Sequence, residues 1–409
     1  MASAISCRTR SRFIGSLSRC SGAVRRQSSA RPLTEFTDDE IMLKESVARF
    51  SKEQVQPYVT EMDKNSEMRP EIISGLFEQG LMGIEIPSEF GGPAMPFFSV
   101  VLAIEELAKV DPSVSVLCDV QNTLFNTAFL QWATPEQRKQ YLPRMVKDTV
   151  GAFCLSEAGC GSDAFALQTR AVADGDDYIL SGEKMWITNA GYAGAFLVFA
   201  NANPEKRHRG ITCFIVDRDM PGVSVGPPED KLGIRASSTC AVRLDGVRVP
   251  KTAIMGELGK GYKYAMEILN EGRIGIAAQM LGLAEGAVES TVPYLQDRKA
   301  FGQRLLDFQA IQHQIAEVTT RIEAARVMIY NAVRLKENGS SFVKEAAMAK
   351  YFATDVAAQA SARSVEWLGG VGYTKAFPAE KFYRDCKIGA IYEGTNNIQL
   401  NTIAKFIEQ

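Results

Sequence analysis

The chain has 409 residues, 46% of them apolar and 23% charged, which is enough to fill the cores of two or three packed units. It carries 46 Lys+Arg against 48 Asp+Glu, a net charge of −2, and only two histidines, His208 and His313. No run of about 18 or more apolar residues argues for a membrane span, and so few histidines argue against a zinc site and against Ser-His-Asp or Cys-His chemistry.

Residues 1–34 hold seven arginines (Arg8, Arg10, Arg12, Arg19, Arg25, Arg26, Arg31), are rich in Ser and Ala, and contain no Asp, Glu or Lys. That pattern is expected of a mitochondrial transit peptide; a basic arm touching nucleic acid is the alternative. Without this segment the chain keeps 39 Lys+Arg against 48 Asp+Glu, a net −9, which makes a poor general binder of nucleic acid. Cys7 and Cys20 fall in the segment. The other six cysteines (Cys118, Cys154, Cys160, Cys213, Cys240, Cys386) form no C-x-x-C pair and are expected to be reduced, packed residues, with no metal site.

Residues 36–150 predict helices. Thr37-Asp38-Asp39-Glu40 is a capping box opening a helix that Pro57 is expected to end. Pro70 and Gly80 bracket a second helix, Thr134-Pro135-Glu136-Gln137 caps another, and Gly91-Gly92-Pro93 breaks the chain between 87 and 96. Residues 151–255 change texture. Short β-rich runs at 151–155, 168–173, 178–180, 196–200, 210–216, 223–225 and 240–249 alternate with turn residues, as in a β-barrel or sandwich. Residues 256–409 are helical again: Ile311, Ile315, Val318, Ile322, Ala325 and Ile329 recur on one helix face, and 344–362 is an Ala-rich helix, together suggesting a bundle.

Three segments have a composition suited to chemistry. Phe153-Cys154-Leu155-Ser156-Glu157-Ala158-Gly159-Cys160-Gly161-Ser162-Asp163 leaves a strand for a Gly/Ser loop that could bind phosphate or a planar ring edge, or be a bare turn. It lacks the third glycine and the βαβ context of a dinucleotide fingerprint. Lys184-Met185-Trp186-Ile187-Thr188-Asn189 offers a tryptophan with a hydroxyl and an amide, either core or a platform for a flat ligand. Ile391-Tyr392-Glu393-Gly394-Thr395-Asn396-Asn397-Ile398-Gln399 sets one carboxylate among apolar neighbours that would raise its pKa, beside a glycine allowing close backbone approach; a plain helix end is the alternative.

These segments, with Lys231-Leu232-Gly233-Ile234-Arg235, Asn270-Glu271-Gly272-Arg273, Arg298-Lys299-Ala300-Phe301-Gly302 and Glu366-Trp367-Leu368-Gly369-Gly370, resemble the acyl-CoA dehydrogenases in the family's order, over residues 36–409. The resemblance implies an N-terminal helical domain, a central β-barrel domain and a C-terminal four-helix bundle. It implies FAD held by Phe153–Ser162, by Trp186, Ile187 and Thr188, and by Thr395, Asn396 and Asn397. Arg298, Gln309 and Glu366–Gly370 would reach the FAD of a neighbouring subunit, in a homotetramer built as a dimer of dimers. Glu393 matches the base that takes the Cα proton of an acyl thioester while a hydride leaves Cβ. Its own N–H and a ribityl hydroxyl would serve the enolate oxygen. Ser162, Tyr262, Asn270, Glu271, Gly272 and Arg273 match positions that contact acyl-CoA. His208 stands where close relatives carry a tyrosine near the adenine. Some relatives place their base immediately before the arginine matching Arg273, where this chain has Gly272. Glu271 lies one residue earlier, about 100° around a helix, and is expected to face elsewhere.

The runs 77–85, 231–240, 269–284 and 391–405 resemble most the family's short/branched-chain branch, which implies a 2-methylbutyryl thioester, electron-transfer flavoprotein as acceptor and the mitochondrial matrix. Butyryl, isobutyryl and hexanoyl thioesters stay open. The alternatives are an acyl-CoA oxidase, against which the length and the lack of an S-K-L-like tail argue, and an inactive assembly protein, against which Glu393 argues.

Overall fold

The computed structural model describes residues 32–407; the arginine-rich stretch up to Arg31 lies outside the described residues. Helix α1 (Asp38–Phe50) starts at the expected capping box, with Glu40 N–H donating to Thr37 Oγ1 at 3.3 Å and Thr37 N–H to Glu40 Oε2 at 2.8 Å. Pro57 does not end the helical run. The chain passes through a π turn (Ser51–Val55) and a 3₁₀ turn (Gln56–Tyr58) into α2 (Val59–Asn65), and Pro57 falls in the first turn of its segment, where a missing N–H costs little. α3 (Pro70–Glu78) is bracketed as expected, followed by Gly80 at φ +70°. α4 (Phe97–Ala108) is buried on every face. α5 (Pro112–Asp119) runs through a π-helical stretch, Val120–Asn126, into α6 (Thr127–Trp132), and α7 (Pro135–Lys147) begins at the Thr134 capping box.

Eight strands follow: β1 (Gly151–Cys154), β2 (Arg170–Asp174), β3 (Asp177–Thr188), β4 (Ala195–Asn201), β5 (Ile211–Asp217), β6 (Val223–Pro228), β7 (Thr239–Pro250) and β8 (Ile254–Met255). They form one sheet in the order β6-β7-β3-β2-β4-β5-β8, with β1 parallel beside β4. The sheet folds over on itself: Phe196, Val198 and Phe214 from β4 and β5 share a core with Leu180, Val242 and Val249 from β3 and β7. Tyr178 of β3 packs on Phe214 of β5 with ring centroids 5.4 Å apart. The barrel-like body is closed by this packing; among the described residues no ladder joins β6 to β8. The opposite faces of β4 and β5 (Leu197, Phe199, Ile215) bury against Leu124, Phe125 and Phe129 of the helical domain, so these strands lack the simple in–out alternation.

The C-terminal part contains α8 (Gly261–Asp297), about 55 Å long at 1.5 Å per residue. A short hairpin, β9 (Lys299–Ala300) and β10 (Gln303–Arg304), leads to α9 (Gln309–Glu337), α10 (Val343–Leu368), α11 (Ala379–Asp385) and α12 (Asn396–Ala404). The α9 stripe points inward as its spacing required: Val318, Ile322, Ala325 and Ile329 are buried. A buried charge cluster ties the three parts together. Lys381 Nζ meets Asp111 Oδ1 at 3.0 Å and Asp385 Oδ2 at 2.6 Å, and Asp385 Oδ1 accepts from Ile234 N–H at 2.5 Å. Among the described residues no helix is long and apolar enough to cross a membrane.

Candidate active site

The segment between Ala390 and α12 carries Glu393 at φ +52° and Gly394 at φ +86°. A left-handed non-glycine residue costs of order 1–3 kcal/mol and needs a surrounding structure that enforces it. That enforcement is present. Lys350 Nζ donates to the Gly394 carbonyl at 2.7 Å, and Gln399 Nε2 donates to the same oxygen at 2.8 Å and to the Glu393 carbonyl at 3.2 Å. Thr395 caps α12 by accepting from Ile398 N–H. Tyr392 hydrogen-bonds through its hydroxyl to Gln279, whose Nε2 donates to the Pro112 carbonyl at 2.7 Å.

As a residue Glu393 is partly exposed, but its Oε2 is buried and lacks a hydrogen-bond partner. Burial pushes the carboxyl up to about 7, against the opposing pull of the Lys350 and Arg273 cations. The neighbouring helix makes room for it: a Cβ on Gly272 would lie 2.7 Å from Glu393 Oε2 and 2.8 Å from Leu124 Cδ2. One turn on, a Cβ on Gly275 would lie 1.9 Å from Asp119 Oδ1. Asp119, from α5, is fully buried and accepts from Thr123 Oγ1 at 2.8 Å. Burial first, and the Glu393 charge second, push its carboxyl well above the usual carboxylate range. The π stretch after Asp119 supplies Thr123 and Leu124 to this wall; such bulges often occur at functional sites.

Glu271 points away, as a 100° step demands. Its Oε2 accepts from Thr127 at 3.0 Å and pairs with Lys336 at 3.4 Å, and its Oε1 accepts from Gln131 at 2.8 Å. Its carboxylate is thus engaged in a buried network behind the Gly272 wall. Arg273 is buried, donates to Asn270 Oδ1 at 2.9 Å and leaves Nε without a partner.

The two sheet-domain segments are held together. Met185 N–H donates to the Ser156 carbonyl at 2.9 Å. Buried Lys184 binds Glu157 Oε1 at 2.8 Å and the Leu155 carbonyl at 3.1 Å, while Glu157 also accepts from Thr169 and Gln168. Those donors hold the Glu157 carboxyl below its usual range against the effect of burial. Glu157 and Lys184 therefore shape the loop, and Ala158, Gly159, Gly161 and Ser162 are left exposed on it. Trp186 stands at a register shift in the β3–β7 ladder, at φ +64° and 55% exposed, whereas its neighbour Ile187 is buried. The ring is thus displayed from a strained bulge rather than packed as core. Asn396 Oδ1 is buried without a partner. An open glycine loop, a presented indole and an orphaned amide oxygen fit a large, flat, polar-edged group such as a flavin dinucleotide. Among the described residues no His/Cys/Asp/Glu group could hold a metal.

At the outer edge His208, exposed on a 3₁₀ turn, meets Tyr262 edge-on with ring centroids 4.9 Å apart, and Phe165 meets the same tyrosine at 6.1 Å. Arg298 ends α8, 25 residues beyond Arg273 and so about 37 Å along the helix. It is exposed, as are Gln309, Glu366, Gly369 and Gly370, while Trp367 and Leu368 are buried. Arg298 is therefore remote from the Arg273 end of the helix that faces Glu393. The sequence reading missed Lys350, Gln399, Asp119 and Phe165. Lys350 left a signal, since it stands in phase with Ala346, Ala353 and Ala357 on an apolar stripe.

Fold and site define a flavin-type oxidoreductase. Models of the acyl-CoA dehydrogenase family match the chain throughout: the N-terminal domain at residues 37–149, the middle domain at 152–247 and the C-terminal domain at 259–408. The chain is 56% identical to the mitochondrial short/branched chain specific acyl-CoA dehydrogenase of Rattus norvegicus, over 92% of this chain and 87% of that one. It is 54% identical to a probable short/branched chain specific acyl-CoA dehydrogenase of Dictyostelium discoideum, over 93% of this chain and 92% of that one. The butyryl-CoA dehydrogenase structure from Megasphaera elsdenii superposes with a TM-score of 0.90 at 37% identity, covering 92% of this chain and 99% of that one. The chain belongs to the acyl-CoA dehydrogenase family.

Proposed function

We propose that this chain oxidises short, branched acyl-CoA thioesters of the 2-methylbutyryl type to trans-2-enoyl-CoA, in isoleucine and fatty-acid breakdown. Its 56% identity to the rat short/branched chain specific enzyme supports that choice over butyryl or isobutyryl thioesters. The observation that carries the chemistry is Glu393: a buried carboxyl with an unpartnered oxygen, poised near 7, on a strained loop. A base near the working pH is ionised often enough to act and basic enough to accept a proton. Glu393 takes the proton from Cα. Among the described residues its own N–H donates no hydrogen bond, so it is free to bind the thioester oxygen as negative charge develops there. FAD is the cofactor and, when bound, would supply the acceptor for the hydride from Cβ, leaving Cα and Cβ joined by a double bond. Phe153–Ser162, Trp186–Thr188 and Thr395–Asn397 would hold it, and Tyr262, His208 and Ser162 would border the CoA chain. Gly272 and Leu124 keep water and bulk away from the carboxylate.

Electrons then pass to electron-transfer flavoprotein. The enzyme works in the mitochondrial matrix as a homotetramer in which Arg298, Gln309 and Glu366–Gly370 serve a neighbour's cofactor. The roughly 37 Å between Arg273 and Arg298 along α8 supports this, as do Phe301 (96% exposed) and Tyr373 (87% exposed), apolar surfaces suited to a subunit contact. Glu393→Gln tests the core of the reading: the variant is expected to keep FAD and lose turnover by a factor of about 10² or more. Retained turnover would remove Glu393 from its role.

A further inference from the structure

Lys350 lies in the first third of α10 on its buried face and has no solvent exposure. Its hydrogen bond goes to a main-chain carbonyl, that of Gly394, and among the described residues no carboxylate lies within ion-pair distance of it. A buried ammonium without a paired carboxylate is costly, so its place calls for a reason beyond packing. The carbonyl it holds belongs to the residue directly after Glu393, in the two-residue stretch at positive φ. Gln399, from α12, holds the same carbonyl and that of Glu393. Both carbonyls of the strained pair thus end on buried side-chain donors from two helices. Among the described residues the Glu393 and Gly394 N–H groups donate no hydrogen bond, and the Glu393 carboxyl Oε2 is buried without a partner.

We infer that Lys350 is a positioning residue for the reaction: by pinning the Gly394 carbonyl it keeps the Glu393 main-chain N–H and carboxylate presented together. This rests on Glu393 being the base. The ammonium has a second effect through its charge. Burial lowers Lys350 to about 8, with the Glu393 charge opposing, and Lys350 is the first of the two cations favouring the ionised Glu393; Arg273 of α8 is the other. Asp119 of α5 also faces Glu393, and burial followed by the Glu393 charge raises its carboxyl.

The test uses the FAD-loaded enzyme and the variants Lys350→Met, Lys350→Gln and Lys350→Arg, with Glu393→Gln as reference. Infrared difference spectroscopy follows the protonated Glu393 carboxyl against pH, its band identified by its absence in Glu393→Gln. The midpoint near 7 is expected to rise by roughly 1–3 units in Lys350→Met and Lys350→Gln and to stay near the parent value in Lys350→Arg. The acid limb of the kcat–pH profile should move with it, and plateau kcat should fall about tenfold or more in Lys350→Met, as small misplacements of a reacting group do. Lys350→Gln keeps a donor without the charge, so it carries the titration if Lys350→Met does not fold. A folded, FAD-containing Lys350→Met or Lys350→Gln with an unmoved midpoint and an unchanged profile would overturn the inference. Turnover retained by Glu393→Gln would instead overturn the assignment of the base, and is seen without any Lys350 variant.

Discussion

Gly272→Ala is the sharpest probe of how α8 shapes the site. The added Cβ would stand 2.7 Å from Glu393 Oε2 and 2.8 Å from Leu124 Cδ2, where ordinary contact begins at 3.4 Å. Leu124 sits in the packed π stretch, while the carboxyl is unpartnered, so the carboxyl is what gives way, by about 0.7 Å on these distances. A 1 Å error in a reacting group can cost about 10²-fold, so kcat should fall by roughly 10–100-fold. Stability should change far less. Overpacking costs about 1–3 kcal/mol, and alanine in a helix interior returns about 1 kcal/mol relative to glycine. Steady-state kinetics with 2-methylbutyryl-CoA, alongside FAD content and a melting curve, separate the two effects. Full kcat in a folded, FAD-loaded Gly272→Ala enzyme would refute the idea that this glycine exists to admit the base.

Two other consequences can be measured. The Glu393 carboxyl is raised in the folded state, so its neutral form stabilises the fold below the unfolded value of 4.5, and that contribution is lost as pH rises through about 7. Glu393→Gln should therefore melt higher than the parent above pH 7, by of order 1–3 kcal/mol, with the gain vanishing near pH 4; equal melting curves at every pH would contradict it. Lys184→Met strands Glu157 as an unpaired buried carboxylate and should cost about 3–5 kcal/mol, with faster FAD loss from the loosened loop, read by denaturant unfolding and FAD fluorescence.

Much of this architecture was readable from local chemistry. Capping boxes at Thr37 and Thr134, the Pro70–Gly80 bracket and the alternation of β runs with turns each set an element whose signal lies within a few residues. What escaped depends on partners far along the chain. Strand β3 runs on from Leu180 to Thr188 because β7 pairs with it across a bulge, which the polar run Ser181–Lys184 does not announce. The π stretch at Val120–Asn126 answers to packing against β1 and α8, and no residue in it breaks a helix by type. Pro57 misled because a proline stops a helix only where its N–H was needed. In the site, Glu393 was legible from its neighbours. Lys350 lies 43 positions upstream and Asp119 in a different domain, and only folding brings them to it.

The proposed chemistry is α-proton removal by Glu393 coupled to hydride loss from Cβ of a short, branched acyl thioester. Anaerobic titration of the FAD-loaded enzyme with 2-methylbutyryl-CoA, with butyryl-CoA and isovaleryl-CoA in parallel, tests it most directly through the visible flavin band. Rapid bleaching by 2-methylbutyryl-CoA, weaker bleaching by isovaleryl-CoA and none in Glu393→Gln is the expected result. A flavin that stays oxidised with all three thioesters, or one that Glu393→Gln bleaches as fast as the parent, would contradict the account.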